Sequence, residues 1–455
     1  MKRNIELDIT SLAYTGQSVG YLDGKVTFVN GGLPGEKVEA HITKFKKSFN
    51  QARLRKILVK SPERIPAVCR HFDICGGCTW QDLDYDRQLF YKHKQITDCL
   101  QHIGGLSDFP VDPIHPSPER FFYRNKMEFS FHVESNRTDA PDFVFGLHER
   151  GRFDSIFDLE ECHLQSPLSN RLVNFIRAAA RRLSIPIYDL VAHRGFLRFV
   201  IVREGKNSGQ AMLVLVSGEG EFVAKDAFVS QLKAAFPELT TIIWLVNDQK
   251  ANIARGQVRE VLHGPGFIEE SILGLRFRIG PGSFFQTNSR QTENLYRTAI
   301  ELARITASDH LLDLYCGAGT IGLCAAGQAA QVTGIEIDPD SVAAARINAE
   351  INGITNARFF AGTVHQVLAD EQLHGTTFDP VMIDPPRAGL EPKALIQLLE
   401  LQPRRLVYIS CNPATFARDA AQLVSAGYAL CQVVPFDMFP HTMHIELVSR
   451  FEKNG

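Results

Sequence analysis

Apolar and polar residues alternate along four short runs near the N-terminus: Ile5–Ile9, Lys25–Val29, Lys37–Ile42 and Gln51–Leu58. Residues two apart on a strand share a face, so each run predicts a half-buried strand. Gly16, Gly20, Gly31-Gly32 and Pro34-Gly35 interrupt the runs and predict turns. Several short strands with glycine turns in residues 1–60 fit a small closed β-barrel, which leaves no strand edge unpaired. Ser61-Pro62 to Ile65-Pro66 reads as a linker.

Residues 68–267 are less periodic. Strand-like runs at Lys126–Val133, Phe143–His148, Phe196–Arg203, Met212–Val216 and Ile242–Val246 predict an α+β domain. Tyr85–Ile103 reads as a helix that packs on the C-terminal domain. From residue 268 to 455 strands alternate with helices, the pattern of an α/β fold around a parallel sheet. His310–Tyr315, Val332–Ile337, Phe378–Ile383 and Leu406–Ser410 are the predicted strands, followed by Cys431–Val434 and Ile445–Phe451. Asp338-Pro339 opens a helix running to about Asn352.

Composition narrows the class. With 44% apolar residues and a net charge of −2, the chain has an ordinary globular balance, which excludes a wholly disordered or histone-like protein. No uncharged apolar run approaches the ~18–20 residues of a membrane span, so no membrane partner is expected. Met1-Lys2-Arg3-Asn4-Ile5-Glu6 reaches acid before any apolar run, which predicts no secretory signal. Nine cysteines without such a signal point to a reducing cytoplasm rather than a disulfide framework. The near-zero charge hides an asymmetry. Residues 1–60 hold 11 Lys and Arg against 5 Asp and Glu, a balance of +6, leaving −8 for the rest. A basic small barrel is suited to RNA; a solvated charged surface is the alternative.

Cys69, Cys75 and Cys78 fall within ten positions, with Gly76-Gly77 between two of them. Such a loop can turn thiolates toward one centre and bind zinc or an iron–sulfur cluster. Three ligands are one short of a closed tetrahedral site. Cys162, in a polar turn after a strand-like run, is the best fourth, with His71 and His163 as weaker candidates.

The C-terminal part carries a second constellation. Asp313-Leu-Tyr315-Cys-Gly317-Ala-Gly319-Thr-Ile-Gly322 follows a strand and opens a helix, and Glu336 ends the next strand, where a carboxylate can bind ribose hydroxyls. Asp384-Pro385-Pro386-Arg387 forms a rigid acidic loop at a strand's carboxyl end, as S-adenosylmethionine-dependent transferases use. Ser410-Cys411-Asn412-Pro413 places a cysteine between a strand and a helix N-terminus, which predicts a lowered thiol pKa and a nucleophile. Glu446 lies inside the apolar run Ile445–Val448, costly to bury unless paired or functional. Cys99, Cys316, Cys324 and Cys431 read as packing thiols.

Together these motifs, with Gln286-Thr287-Asn288 and His444-Ile445-Glu446, resemble the RNA 5-methyluridine methyltransferases, specifically members with an N-terminal TRAM barrel and a [4Fe–4S] cluster. The resemblance spans essentially the whole chain. It implies a class I, Rossmann-like S-adenosylmethionine methyltransferase domain at residues 268–455, a TRAM-like barrel at 1–60, and a central cluster-holding domain at 68–267. It implies cofactor contacts at Gln286, Tyr315, Glu336 and Asp384, Cys411 as nucleophile, Glu446 as base, and Cys69, Cys75, Cys78 and Cys162 as cluster ligands. The cluster would be structural, orienting an RNA-binding surface. The implied substrate is a uridine in a loop or flipped out of RNA, 23S ribosomal RNA being favoured and tRNA the alternative. The enzyme is expected to be a cytoplasmic monomer active in rRNA processing. Phe284-Phe285 are candidate stacking surfaces and Tyr123–Lys126 a candidate backbone contact, with core packing the competing role.

Other readings fare worse. A 5-methylcytidine enzyme needs a second cysteine beside Asp384, where the chain reads Asp-Pro-Pro. An amino-group methyltransferase needs no Cys411. A non-catalytic ribosome-assembly factor needs neither Cys411 nor Glu446.

Overall fold

The computed structural model describes residues 3–133, 143–152, 154–369, 373 and 375–454. Met1 and Lys2, counted in the basic N-terminal stretch, lie outside them. The chain divides into two compact units: residues 1–68, 78–117 and 382–455, and residues 69–77 and 118–381.

The first unit begins with the barrel. Its strands are β1 (Asn4–Leu12), β2 (Ser18–Leu22), β3 (Lys25–Asn30), β4 (Lys37–Phe45) and β5 (Asn50–Val59), closed in the order β1-β2-β3-β5-β4. Alternate residues turn inward, and Ile5, Leu7, Ile9, Val29, Val38, Ala40, Ile42 and Ala52 form the core. Four strands were expected from alternation and the fifth, β2, contains Gly20, which reads as a break. The reason is steric: a Cβ at Gly20 would stand 2.6 Å from the Asp8 carbonyl oxygen, so glycine here permits close strand approach. Asp23 and Gly24 both have positive φ (50° and 76°), the geometry of the tight hairpin joining β2 to β3.

The segment read as a linker is tied down. Arg64 donates to the fully buried carboxylate of Glu36 at 2.7 and 3.1 Å and also bonds Asp82. Beyond it, α1 (Tyr85–His102) starts at Asp84, whose side chain accepts the Asp86 and Arg87 amides. It packs against the helix Pro413–Ser425 and meets β1. Arg405–Ser410 pairs antiparallel with Glu446–Lys453, which pairs in turn with Tyr428–Phe436.

The second unit holds a seven-stranded sheet ordered Gln257–His263, Thr241–Val246, Ala211–Ser217, Leu197–Glu204, Lys126–Val133, Phe143–His148 and Ile156–Asp158. Its interior strand Ala211–Ser217 is buried throughout, which explains an apolar run without alternation. The strands His310–Leu314, Gln331–Glu336 and Ala357–Ala361 pair in parallel. Among the described residues no helix is long and apolar enough to cross a membrane.

Candidate active site and family

Cys411 follows the strand Arg405–Ser410 and precedes the helix Pro413–Ser425, whose first turn is capped by the Asn412 side chain accepting the Ala414 amide at 3.1 Å. The same cap fastens the Asp384–Arg387 loop. Asn412 Nδ2 donates to the Arg387 carbonyl at 3.1 Å and Thr415 Oγ1 to the same oxygen at 3.2 Å. Arg418 holds the Ala388 carbonyl at 2.9 Å. Glu446 is the first residue of its strand, paired with Phe436, and its neighbour Leu447 pairs with Ser410. Three separate segments therefore bring Cys411, Glu446, Asp384 and Arg387 within electrostatic range of one another.

Their environment is drier than the sequence suggests. Glu446 is only 4% exposed, Cys411 and Asp384 are half-buried, and Arg387 is open. Burial pushes the Asp384 carboxyl up to about 7. Burial also raises Glu446 well above the usual carboxylate range, reinforced by the Asp384 charge and opposed by Arg387. For Cys411 the expected lowering by the helix N-terminus does not prevail. Burial first, then Glu446 and Asp384, push its thiol up to about 12, against the opposing charge and hydrogen bond of Arg387. The positive end of the helix that follows is too weak to outweigh desolvation and two carboxylates.

One consequence is measurable in the protein without RNA. Iodoacetamide labelling of Cys411, followed by peptide mapping, should be slow at neutral pH and rise about tenfold per pH unit well above the range where an ordinary thiol levels off near ~8.5. Arg387→Ala should slow it further. Labelling that plateaus below pH ~8 would contradict the raised pKa.

In the second unit Glu336 ends its parallel strand and accepts the Gly317 amide at 3.1 Å and the Asp338 amide at 2.9 Å. It is thereby fixed beside the loop of Tyr315, which has φ +63°. Asp313 accepts the Gly322 amide at 2.9 Å, holding the turn into the helix. Gln286 is 8% exposed, its carbonyl accepting Asn125 Nδ2 at 2.8 Å, and Asn125 also bonds Ser289 at 2.9 Å and gives its amide to Thr287 at 2.8 Å. Of the two candidate stacking rings, Phe285 is buried and Phe284 is 69% exposed. Tyr123 is a packing residue, 1% exposed.

Cys69, Cys75 and Cys162 lie near enough in this unit for the charge on each to act on another. The Gly77 amide donates to Cys75 Sγ at 3.2 Å, and Asn170 clasps the Cys162 backbone at 2.8 and 3.0 Å. Burial raises all three thiols, Cys162 to about 11. In the first unit, Cys78 Sγ lies 3.7 Å from the Gln81 amide nitrogen. Among the described residues no group of three or more His, Cys, Asp and Glu is drawn together as a metal-holding set. Cys99 and Cys316 are buried, as packing thiols are, while Cys324 and Cys431 are half-buried.

A family profile described as tRNA (Uracil-5-)-methyltransferase matches residues 238–453, and a TRAM domain profile matches residues 3–54. An uncharacterized RNA methyltransferase of Chlorobaculum tepidum is 39% identical, with 99% of this chain and 96% of that protein aligned. The chain belongs to the RNA uracil-5-methyltransferase family. Another relative, an uncharacterized RNA methyltransferase of Halalkalibacterium halodurans, is 37% identical over 98% of this chain and 96% of its own. Among solved structures, the tRNA (uracil-54, C5)-methyltransferase of Pyrococcus abyssi, crystallised with S-adenosyl-L-homocysteine, is 30% identical. It covers 98% of this chain and 100% of its own, with a TM-score of 0.78. Membership in this family of enzymes accounts for the barrel and for the methyltransferase fold of the C-terminal part.

What sequence reasoning missed is the support around the site. Lys92 and Asp437 form a buried ion pair at 2.6 Å, both side chains fully inaccessible. They are 345 positions apart, and no local pattern links them.

Proposed function

We propose that the protein transfers a methyl group from S-adenosylmethionine to C5 of a uridine in RNA, and the convergence of Cys411, Glu446, Asp384 and Arg387 carries that reading. Uracil C5 is a weak nucleophile. Attack of the Cys411 thiolate on C6 forms an S–C bond and moves the ring electrons toward O4, so that C5 becomes nucleophilic. S-adenosylmethionine supplies the sulfonium methyl, and its sulfur leaves with the bonding pair. The Glu446 carboxylate then takes the C5 proton; those electrons restore the C5–C6 double bond and expel Cys411. Both groups act in their ionised forms and burial shifts both upward, Cys411 to about 12, so turnover should keep rising with pH past neutrality. Arg387 favours the thiolate.

Gln286, Tyr315, Glu336 and Asp384 are the residues proposed to hold S-adenosylmethionine, Glu336 by the ribose hydroxyls. Cys69, Cys75, Cys78 and Cys162 are proposed as ligands of a [4Fe–4S] cluster, and the Gly77 amide donated to Cys75 Sγ at 3.2 Å is the kind of N–H···S bond that supports a ligating thiolate. The cluster would fix the Cys69–Cys78 loop.

The barrel and the cysteine loop together favour 23S ribosomal RNA as substrate. The Pyrococcus abyssi relative, named for tRNA, favours tRNA. Incubation with labelled S-adenosylmethionine and each unmodified RNA, then digestion to nucleosides, decides between them. Label in 5-methyluridine from ribosomal RNA is expected; label from tRNA alone would move the assignment, and label in neither would sink it.

A further inference from the structure

Helix α1 carries an unusual buried stripe. Tyr85, Gln88, Lys92 and Gln95, spaced i, i+3, i+7 and i+10, lie on one face and are 5%, 0%, 0% and 2% exposed. Buried polar side chains are costly unless they find partners, and each of the four makes at least one hydrogen bond. Tyr85 Oη donates to Asp437 at 2.8 Å. Lys92 Nζ donates to Asp437 at 2.6 Å and to the Phe439 carbonyl at 3.1 Å. Gln88 accepts the His441 amide at 2.9 Å, approaches His441 Nδ1 at 3.2 Å, and donates to the Trp80 and Leu83 carbonyls at 2.9 and 2.8 Å. The Thr79 and Trp80 amides close on the His441 carbonyl at 2.8 and 3.0 Å, and His441 itself has φ +66°. Gln95, the last of the stripe, donates to the Leu12 and Ala13 carbonyls where β1 ends, at 3.3 and 3.1 Å.

Asp437, Phe439 and His441 lie in the segment that leads to Glu446, and Leu12 and Ala13 lie where β1 ends. Residues 437–445 connect Phe436 to Glu446, which face each other across paired strands. An apolar stripe of similar volume would stabilise the helix as well or better, whereas a polar one allows a single arrangement. We propose that Gln88 and Lys92 are positioning residues: they fix the path of segment 437–445, thereby hold the Glu446 carboxyl where C5 proton removal needs it, and through α1 and Gln95 tie that path to the barrel. The inference rests on the function proposed above for Glu446.

Two variants test it: Gln88→Leu, and the paired change Lys92→Met with Asp437→Leu. The pair removes both charges at once, leaves no lone buried ion, and answers the question even where Gln88→Leu fails to fold. Expected for both is a kcat about 10–100-fold lower with KM for RNA hardly moved, as for a misplaced catalytic group. A covalent protein–RNA species should accumulate during turnover, because C6 addition and methylation proceed while proton removal lags. Amide hydrogen exchange across residues 438–446 should rise in the protein without RNA. Wild-type exchange there, or a kcat that falls only with the folded fraction and without adduct, would overturn the proposal. Wild type run in parallel must make 5-methyluridine. Its failure would sink the functional reading instead, while the exchange measurement, which needs no RNA, still reports on the clamp.

Discussion

Cys411→Ala should abolish 5-methyluridine formation, with a loss of at least about 10⁴-fold in single-turnover methyl transfer, the scale seen when a covalent nucleophile is removed. No neighbour can substitute. The groups facing Cys411 are two carboxyls and a guanidinium, none able to add to C6 and then leave as readily as sulfur. The loop itself should survive, since Asn412, Thr415 and Arg418 hold the Arg387 and Ala388 carbonyls without using the thiol. The variant should therefore bind RNA with unchanged affinity. Methylation persisting in Cys411→Ala would place the nucleophile elsewhere.

Glu446→Gln should separate the two halves of the reaction. The amide has the shape of the acid but cannot take the C5 proton, so turnover should fall about 10²–10⁴-fold. The first half should continue. The Glu446 charge raises the Cys411 pKa, so removing it eases thiolate formation. Covalently joined protein and RNA should then build up, visible as a slowly migrating band on a denaturing gel only when S-adenosylmethionine and Cys411 are both present. Fast turnover without such a band would mean that another group removes the proton.

Much of this architecture was legible in the chain because it rests on local pattern. Alternation in Asn4–Leu12 and Lys37–Phe45 marks half-buried barrel strands, and Leu197–Glu204 and Ala211–Ser217 mark strands covered on both faces. The same logic failed at Ser18–Leu22, where Gly20 serves a close backbone approach within a strand rather than a turn. It also failed at Gln257–His263, an edge strand so exposed that its polar residues conceal it.

In the site, residue identity was readable and environment was not. Cys411 stands out by its place between strand and helix, and Glu446 by its apolar neighbours. Yet the direction of the Cys411 shift depends on burial and on carboxyls from two other segments, which only the folded chain brings near. The α1 clamp is illegible for the same reason: the partners of Gln88 and Lys92, Asp437 and His441, come from the far end of the chain.

The central claim is that Cys411 bonds to the base being methylated. Protease and nuclease digestion of the Glu446→Gln adduct, followed by mass spectrometry of the Cys411 peptide, tests it most directly. The account predicts that this peptide carries a uridine nucleotide with one added methyl group. An unmodified Cys411 peptide, or a nucleotide attached to any other residue, would contradict it.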